Sequence, residues 1–213
     1  MATRGKREFL VGQPVLVVVD IQGGDGSREG PSPIPHMADA DERLLPAADL
    51  IQKARDCDVP VVFIQEAHRP DHVDFGRELD GAEDVHLIEG DPWTEISTSI
   101  GKRPDDYFIR KRRYSCFFGT DFEILMKGLG AETLIFIGGL TDVCVHYSFV
   151  DGHQNNYYCR VVEDCVAGSS LEAHDASLRA MEYLQAGARC KVADVKRVFE
   201  QYAANRQLLA KEV

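Results

Sequence analysis

Five short runs of apolar, mostly β-branched residues constrain the fold more than any other feature of this sequence. Each run is nearly continuous and does not alternate with polar residues. That is the pattern of strands buried on both faces of a parallel sheet. The runs are Val15–Ile21, Val59–Gln65, Tyr107–Arg110, Thr133–Gly138 and Tyr158–Glu163. The sequence therefore predicts a mainly parallel β-sheet.

Segments with helical spacing of apolar residues lie between these runs. They are Leu44–Arg55, Asp121–Leu129 and Leu171–Ala186. Two pairs, Thr120 with Glu123 and Ser169 with Glu172, have the spacing of a capping box, which marks the start of a helix. Strands that alternate with helices indicate an α/β fold, a three-layer sandwich with a doubly wound, mainly parallel sheet and helices on both faces. With 213 residues, 44% of them hydrophobic, we expect residues 1–213 to form a single domain.

The charge balance and the cysteine pattern limit the partners and the cellular setting. There are 35 acidic against 24 basic residues, a formal net charge of −11, which disfavours nucleic acid and anionic membranes as partners. No apolar run approaches the ~20 residues of a membrane span. The N-terminus MATRGKREFL is basic but lacks the apolar region of a secretory signal. The six cysteines form no CxxC pair, so we expect a protein of the reduced cytoplasm. The expected partner is a small-molecule substrate.

Two long polar stretches interrupt the alternation of strands and helices. They are 23–36, which is rich in glycine and proline, and 67–104. Loops of this length in a compact domain are commonly lids, binding loops or interface arms. Both follow the carboxyl ends of strands, where open α/β sheets bind their ligands. The architecture therefore predicts a binding site at this edge of the sheet.

Three residues at or just beyond strand ends could carry chemistry there. Asp20 lies near the end of the run VLVVVDI, Lys111 ends YFIRK, and Cys144 follows TLIFIG within the first turn of the next helix. Each also has a structural interpretation: a turn-capping aspartate, a solvated charge among neighbouring arginines, and a small buried hydrophobe. Taken together they form a different pattern. A helix N-terminus and an ammonium both stabilise a thiolate, and an aspartate can move the thiol proton.

The motifs around these residues resemble those of the isochorismatase-like cysteine hydrolases. The resemblance runs from VLVVVDIQ through KRRYSCFFGTDFEILMKGLGAETLIFIGGLTDVCV to VVEDCVAGSS, in the order and spacing of that family. It implies a Cys144–Asp20–Lys111 triad and a cis peptide between Gly139 and Leu140. It also implies an oxyanion hole made by the N–H groups of Leu140 and Cys144. The expected reaction is cleavage of a C–N bond in a small linear amide, carbamoyl or ureido compound through a thioester. Dimers or tetramers are expected as well.

Substrate contacts are less specified. The family motif Asp-x-Gln-Asn-Asp-Phe is replaced here by Asp20, Ile21, Gln22 and then Gly23, Gly24 and Asp25. Gln22 is predicted either to line the pocket or to cap the loop. Phe117 is predicted either to pack on a flat substrate or to pack in the core. Trp93 is predicted to be a lid aromatic or an interface anchor.

A metal site is the main alternative to the expectation of a metal-free, cofactor-free enzyme. Glu66, His68, His72 and His86 cluster in and after the second strand. Glu66-x-His68 and the later His86 resemble the divalent-metal ligands of nicotinamidases, but they also resemble metal-free relatives such as biuret hydrolase. A nicotinamidase-type amidase and a non-catalytic ligand-binding relative therefore both stay open.

The remaining histidines and cysteines carry no such signal. His146 and His153 are expected to be exposed or at an interface. The other cysteines are expected to be small buried core residues without a catalytic role. They are Cys57, Cys116, Cys159, Cys165 and Cys190.

Overall fold

A six-stranded, all-parallel sheet forms the centre of the computed structural model, which describes residues 8–26 and 32–209. The strands are β1 (Gln13–Val19), β2 (Val61–Glu66), β3 (Tyr107–Lys111), β4 (Ala131–Gly139), β5 (Tyr158–Ala167) and β6 (Arg189–Cys190). Their spatial order is β3-β2-β1-β4-β5-β6. The α/β fold with a parallel sheet is confirmed, and the five predicted runs correspond to β1–β5. The expectations for the N-terminus and for 27–31 of the first loop lie outside the described residues.

Helices cover both faces of this sheet. In the described ranges they are α1 (Ala40–Leu44), α2 (Ala47–Asp56), α3 (Phe122–Gly128), α4 (Cys144–Gln154), α5 (Leu171–Leu184) and α6 (Val192–Leu209). The predicted helix Leu44–Arg55 is α2 preceded by the short α1, with Pro46 at the junction. The sequence pattern did not assign α6 or the two-residue β6.

Alternate residues of β1 enter two separate hydrophobic cores. Val15, Val17 and Val19 pack on the face covered by α3, α4 and α5, whereas Leu16 and Val18 pack on the face covered by α2 and α6. All five side chains are fully buried. The period of two along a strand explains why the run has no polar face.

β5 runs four residues further than the predicted end at Glu163. Glu163 and Asp164 interrupt the apolar pattern, but both are satisfied locally. Glu163 pairs with Arg189 at 2.7 Å, and Asp164 Oδ1 accepts from the Val192 N–H at 2.9 Å. The ladder to β4 shifts register between Phe136 and Gly138 and then continues.

Both predicted capping boxes need correction. α5 begins after Ser170, whose side chain accepts from the Ala173 N–H at 3.2 Å, so the cap is one residue later than predicted. Ser169 binds Asp142 instead. At α3, Thr120 accepts from Phe122 N–H and Glu123 pairs with Lys127, so that box does not form.

The strand order reverses between β1 and β4. The chain moves outward from β1 to β2 and β3, and then returns to place β4 on the other side of β1. Such a reversal opens a crevice at the carboxyl ends of the two strands. Asp20 follows β1 and the segment leading to Cys144 follows β4, so the fold places both at this crevice.

Candidate active site

The structure brings Asp20, Lys111 and Cys144 together at the crevice. Lys111 Nζ lies 2.8 Å from Asp20 Oδ2 and 3.3 Å from Cys144 Sγ. Lys111 is fully buried although three arginines surround it in sequence, so the interpretation as a solvated charge is wrong. Cys144 is the first residue of α4, as predicted.

Glu66 is a fourth member of this group. It ends β2, directly opposite Lys111 in the parallel register of β2 and β3. Its Oε2 contacts Lys111 Nζ and lies 3.4 Å from Cys144 Sγ. From the sequence, Glu66 is a candidate metal ligand in a motif that also resembles metal-free relatives, and no contact with Lys111 is predicted. The signal that could have found this role is that Glu66 and Lys111 are the last residues of neighbouring strands.

The ionisation of these groups follows from two carboxylates sharing one ammonium. Burial raises the pKa of Asp20 to about 6, against the opposing effect of Lys111. Burial also acts to raise the pKa of Glu66, but Lys111, His68 and His86 hold it well below its usual range. Burial disfavours the Lys111 ammonium, yet Asp20, Cys144 and Glu66 hold its pKa well above the ordinary value. At neutral pH the site therefore contains two carboxylates and one ammonium.

The Cys144 thiol differs from the prediction. Helix position and a neighbouring ammonium predict a lowered pKa, but burial, Glu66 and Asp20 outweigh Lys111 and raise the pKa of the thiol well above its usual value. The two carboxylates and the one ammonium already leave one negative charge uncompensated. A thiolate on Cys144 would add a second. The resting group is thus a protonated thiol. A carboxylate oxygen of Asp20 lies within 4.8 Å of Cys144 Sγ, so Asp20 is placed to accept the proton.

The segment between β4 and α4 is held in place by β5 and α5. The peptide between Gly139 and Leu140 is cis. Thr141 N–H donates to the Ala167 carbonyl at 2.8 Å, and its Oγ1 lies 2.9 Å from His174 Nδ1. Asp142 accepts from the Ser169 N–H at 2.8 Å. These contacts fix the backbone between Leu140 and Cys144.

Two backbone N–H groups of this segment, those of Leu140 and Cys144, are candidates for binding an oxyanion. Cys144 is in the first turn of α4, where N–H groups have no partner inside the helix. Val143 and Val145 both donate to the Leu140 carbonyl, which turns the segment tightly. Among the described residues, neither the Leu140 nor the Cys144 N–H donates to a backbone carbonyl.

A cavity of about 210 Å³ opens beside Cys144. Its wall includes Asp20, Glu66 and Leu140 at the reacting end. Both long polar loops, 23–36 and 67–104, contribute through described residues such as Ile34 of the first and Trp93 of the second. Tyr114, which the sequence analysis did not single out, also lines it. The size suits a small molecule.

The two predicted substrate contacts behave differently. Gln22 borders the cavity, but its amide is engaged: Nε2 donates to the Glu66 and Thr94 carbonyls and Oε1 accepts from the Glu66 N–H at 3.0 Å. Phe117 does not line the cavity. It packs on Phe122, with ring centroids 4.8 Å apart, on the edge of the core. The predicted substrate contact at Phe117 is therefore wrong, and core packing is the correct alternative.

The predicted histidine cluster forms a buried network around Glu66 Oε1. His86 Nε2 lies 3.2 Å and His68 Nε2 3.3 Å from this oxygen, and His68 Nε2 is 3.2 Å from Glu78 Oε2. Burial opposes the charge on His68, but Glu66 and Glu78 raise its pKa to about 9. Glu78 is a member that the sequence analysis missed. His72 stays outside and packs edge-on to Phe75.

This network also has the composition of a metal site. One ligand atom from each of Glu66, His68, Glu78 and His86 lies within 4.8 Å of the others. Two imidazoles and carboxylates are adequate ligands for zinc, iron or manganese. His68 would have to lose its proton to bind an ion. The residues present therefore fit a divalent metal, and they also satisfy one another as an ion-pair network.

The other cysteines and two further histidines, His146 and His153, do not line the cavity. Cys57, Cys116, Cys159, Cys165 and Cys190 are buried free thiols, and burial raises the pKa of each. His146 and His153 are half-buried, not exposed, and His153 Nδ1 lies 3.0 Å from Gln185 Nε2. Within the described ranges, no helix is long and apolar enough to cross a membrane.

Comparison with known proteins finds a family model, sequence relatives and solved structures that are similar to this chain over most of its length. The family model described as the isochorismatase domain matches residues 14–194. A maleamate amidohydrolase from Pseudomonas putida is 28% identical over 82% of this chain and 81% of its own length. The ureidoacrylate amidohydrolase RutB of Azorhizobium caulinodans is 26% identical over 90% of this chain and 92% of its own. The crystal structure of N-carbamoylsarcosine amidase from Thermoplasma acidophilum aligns with a TM-score of 0.66 at 29% identity, covering 80% of this chain and 93% of that one.

Proposed function

Because the chain belongs to the isochorismatase family, we propose that it is an amidohydrolase. It cleaves the C–N bond of a small linear amide, carbamoyl or ureido compound, through a thioester on Cys144. The observation that carries the proposal is the position of Cys144 Sγ, 3.3 Å from a buried ammonium that is itself 2.8 Å from Asp20. The similarity to relatives named as amidohydrolases supports the reaction class.

The first half-reaction forms the thioester. Sγ of Cys144 attacks the carbonyl carbon while Asp20 takes the thiol proton, so no free thiolate has to accumulate. The carbonyl oxygen becomes an oxyanion, which the N–H groups of Leu140 and Cys144 would stabilise. When the tetrahedral intermediate collapses, the C–N bond breaks and Asp20 returns the proton to the leaving nitrogen.

The second half-reaction consumes water. Asp20, ionised again, takes a proton from a water molecule while the oxygen of that water attacks the thioester carbon. The C–S bond breaks, and the proton passes from Asp20 to Sγ, which restores the thiol. With a pKa of about 6, Asp20 is ionised in about nine of ten molecules at pH 7. Lys111 keeps Asp20 ionised and stabilises negative charge as it develops on sulfur. Glu66 holds Lys111 in position.

A metal-assisted amidase of the nicotinamidase type is the second candidate. The observation in its favour is the convergence of Glu66, His68, Glu78 and His86. A bound divalent ion would act there as a Lewis acid or take a ring nitrogen of the substrate. In either case Asp20, Lys111 and Cys144 keep the roles given above. A non-catalytic ligand-binding protein is the third candidate, and it gives no reason for a proton acceptor beside the thiol.

Ammonia release distinguishes these candidates. The panel contains nicotinamide, biuret, N-carbamoyl amino acids, ureidoacrylate and simple amides, each assayed with wild type and Cys144→Ala, with and without EDTA. We expect activity that survives EDTA and disappears in the variant. Cys165→Ala is the matched control, because Cys165 is a buried free thiol in the hydrophobic core covered by α2 and α6, whereas Cys144 belongs to the core on the other face, and it should leave activity unchanged. Loss with EDTA would favour the metal-assisted candidate. Activity in Cys144→Ala would overturn the thioester mechanism.

Association and cellular setting stay predictions. A homo-oligomer, a dimer or a tetramer, is consistent with exposed apolar side chains such as Ile124 (75% exposed) and Phe118 (65%). Light scattering behind a sizing column would give the mass in solution. Fractionation of cells that produce the protein would test the cytoplasmic setting.

A further inference from the structure

The charge on the cavity wall restricts which amides can enter. Beyond Asp20 and Glu66 at the reacting end, two more carboxylates line the cavity, Asp41 on α1 and Glu83 in the second loop. Glu83 is half-buried, with its Oε2 3.8 Å from His86 Nε2, and Asp41 is exposed. The described part of the wall contains no lysine or arginine.

Basic side chains on the segments that border the cavity are already engaged; on α1, Arg43 pairs with Asp39 at 2.8 Å. Lys111 lies behind the reacting end and contacts Asp20, Glu66 and Cys144. Arg110 and Arg112 pair with Glu89, and Arg113 donates to backbone carbonyls.

His86, the buried histidine on the wall, is engaged as well. Nε2 lies 3.2 Å from Glu66, and Nδ1 lies 2.6 Å from the Asp84 carbonyl. His36 is exposed at the opening, with Nδ1 3.2 Å from the Ile34 carbonyl. In the described structure, no buried cation on the wall is left to receive a carboxylate.

Apart from Gln22 and Ser32, most of the remaining wall is apolar or aromatic. It includes Ile34, Leu44, Leu87, Val143 and Trp93. A carboxylate placed against these residues would lose its hydration without an ion-pair partner, which is costly. It would also meet the like charges of Asp41 and Glu83. An uncharged group meets neither penalty, and a cation is attracted to both carboxylates.

We infer that the site takes small amides whose remainder is uncharged or cationic, and that it discriminates against amides that carry a carboxylate. The inference rests on the proposed amidohydrolase function and narrows it. Maleamate and ureidoacrylate, named in two relatives, are both carboxylates. This chain would therefore differ from those relatives in the charge of its substrate.

Three amides of nearly equal size test the inference: succinamate (anionic), succinamide (uncharged) and 4-aminobutanamide (cationic). We expect kcat/KM, from initial rates of ammonia release, to be at least about tenfold lower for succinamate than for succinamide. The same order should appear in calorimetric binding to Cys144→Ala, which needs no hydrolysis. Asp41→Asn and Glu83→Gln should each reduce the discrimination several-fold. Glu123→Gln removes an exposed charge on α3 and should not change it.

The outcomes separate the inference from the proposed function. If succinamate is hydrolysed as well as succinamide, the amidohydrolase function stands and the inference fails. If nothing is hydrolysed but binding follows the expected order, the inference stands and the proposed activity fails for this class. Absence of binding by both succinamide and 4-aminobutanamide overturns the inference. So does a preference for succinamate that Arg28→Ala abolishes, since Arg28 lies outside the described residues and would then supply the missing cation.

Discussion

Lys111 Nζ lies 2.8 Å from Asp20 Oδ2 although the strands that carry them are not neighbours. β2 lies between β1 and β3, and its last residue, Glu66, contacts the same ammonium. Lys111 therefore reaches across one strand and neutralises two carboxylates at once. This amine therefore acts on the pKa of both carboxylates, together with burial and, for Glu66, with His68 and His86.

Replacing Lys111 should affect rate and pH dependence together. In Lys111→Met the two carboxylates lose the cation that they share, and Asp20 and Cys144 lose the ammonium beside them, so we expect kcat/KM to fall by about a thousandfold or more. Any residual activity should decline at a higher pH than in wild type, because the ammonium lowers the pKa of Asp20. Lys127→Met, which removes an exposed lysine on α3, is the control. An unshifted acid limb in Lys111→Met would contradict the pairing with Asp20.

The wild-type enzyme should lose activity in acid with a midpoint near pH 6. Asp20 must be ionised to accept the thiol proton, and burial raises its pKa to about 6. Activity is therefore present above this pH and is lost as pH falls through it, with the slope of a single proton. The measurement is kcat/KM between pH 4.5 and 8. A flat profile across this range would argue against Asp20 as the base.

Alkylation of Cys144 should be slow at neutral pH and faster in Glu66→Gln. Burial and two neighbouring carboxylates raise the pKa of the thiol, and Glu66 Oε2 is 3.4 Å from Sγ. Removing this charge should lower the thiol pKa and speed the reaction with iodoacetamide at pH 7 several-fold. Mass spectrometry locates the modified cysteine. The comparison is Glu163→Gln, which removes a half-buried carboxylate on β5 that pairs with Arg189 and not with the site. A midpoint for wild-type Cys144 below pH 8 would contradict the raised pKa.

His174 should matter for rate more than for substrate binding. Its Nδ1 lies 2.9 Å from Thr141 Oγ1, next to the backbone proposed to bind the oxyanion. We expect His174→Phe to lower kcat by about tenfold or more with little change in KM, because the loop loses its support. His174→Asn, which keeps a donor, should recover part of the loss. His153→Phe provides a half-buried histidine on α4 for comparison. Equal losses in His174→Phe and His153→Phe would indicate a general effect on folding.

Gly138 should be irreplaceable for stability. It has φ +108°, and a Cβ there would lie 1.9 Å from the Val19 carbonyl oxygen. Gly138→Ala should lower the free energy of unfolding by about 3 kcal/mol or more, or prevent folding. Gly128→Ala, where a Cβ meets nothing within 4 Å at the end of α3, should be neutral or stabilise by up to about 1 kcal/mol. Denaturant titration of both variants gives the comparison, and similar values would contradict the close approach of β4 to β1.

The strands and the three central residues were predictable because their signals are local. Buried parallel strands need continuous apolar runs, and Asp20, Lys111 and Cys144 stand at or just beyond the ends of such runs. β6 has only two residues and could not give a pattern of its own. Glu163 and Asp164 made β5 look shorter because their partners, Arg189 and the Val192 N–H, come more than twenty residues later.

The sequence by itself determined the parallel α/β architecture, the family and the side chains available at the crevice. Only the tertiary structure decided the protonation of Cys144, the engagement of Gln22 and the placement of Phe117 in the core. It also decided the negative charge of the cavity wall. The reason is that apolar burial follows local periodicity, whereas Coulomb energies and hydrogen bonds depend on distances between groups far apart in the chain. Glu66 and Cys144 are separated by 78 residues, yet they are 3.4 Å apart, and this contact adds to the effect of burial in raising the pKa of the thiol.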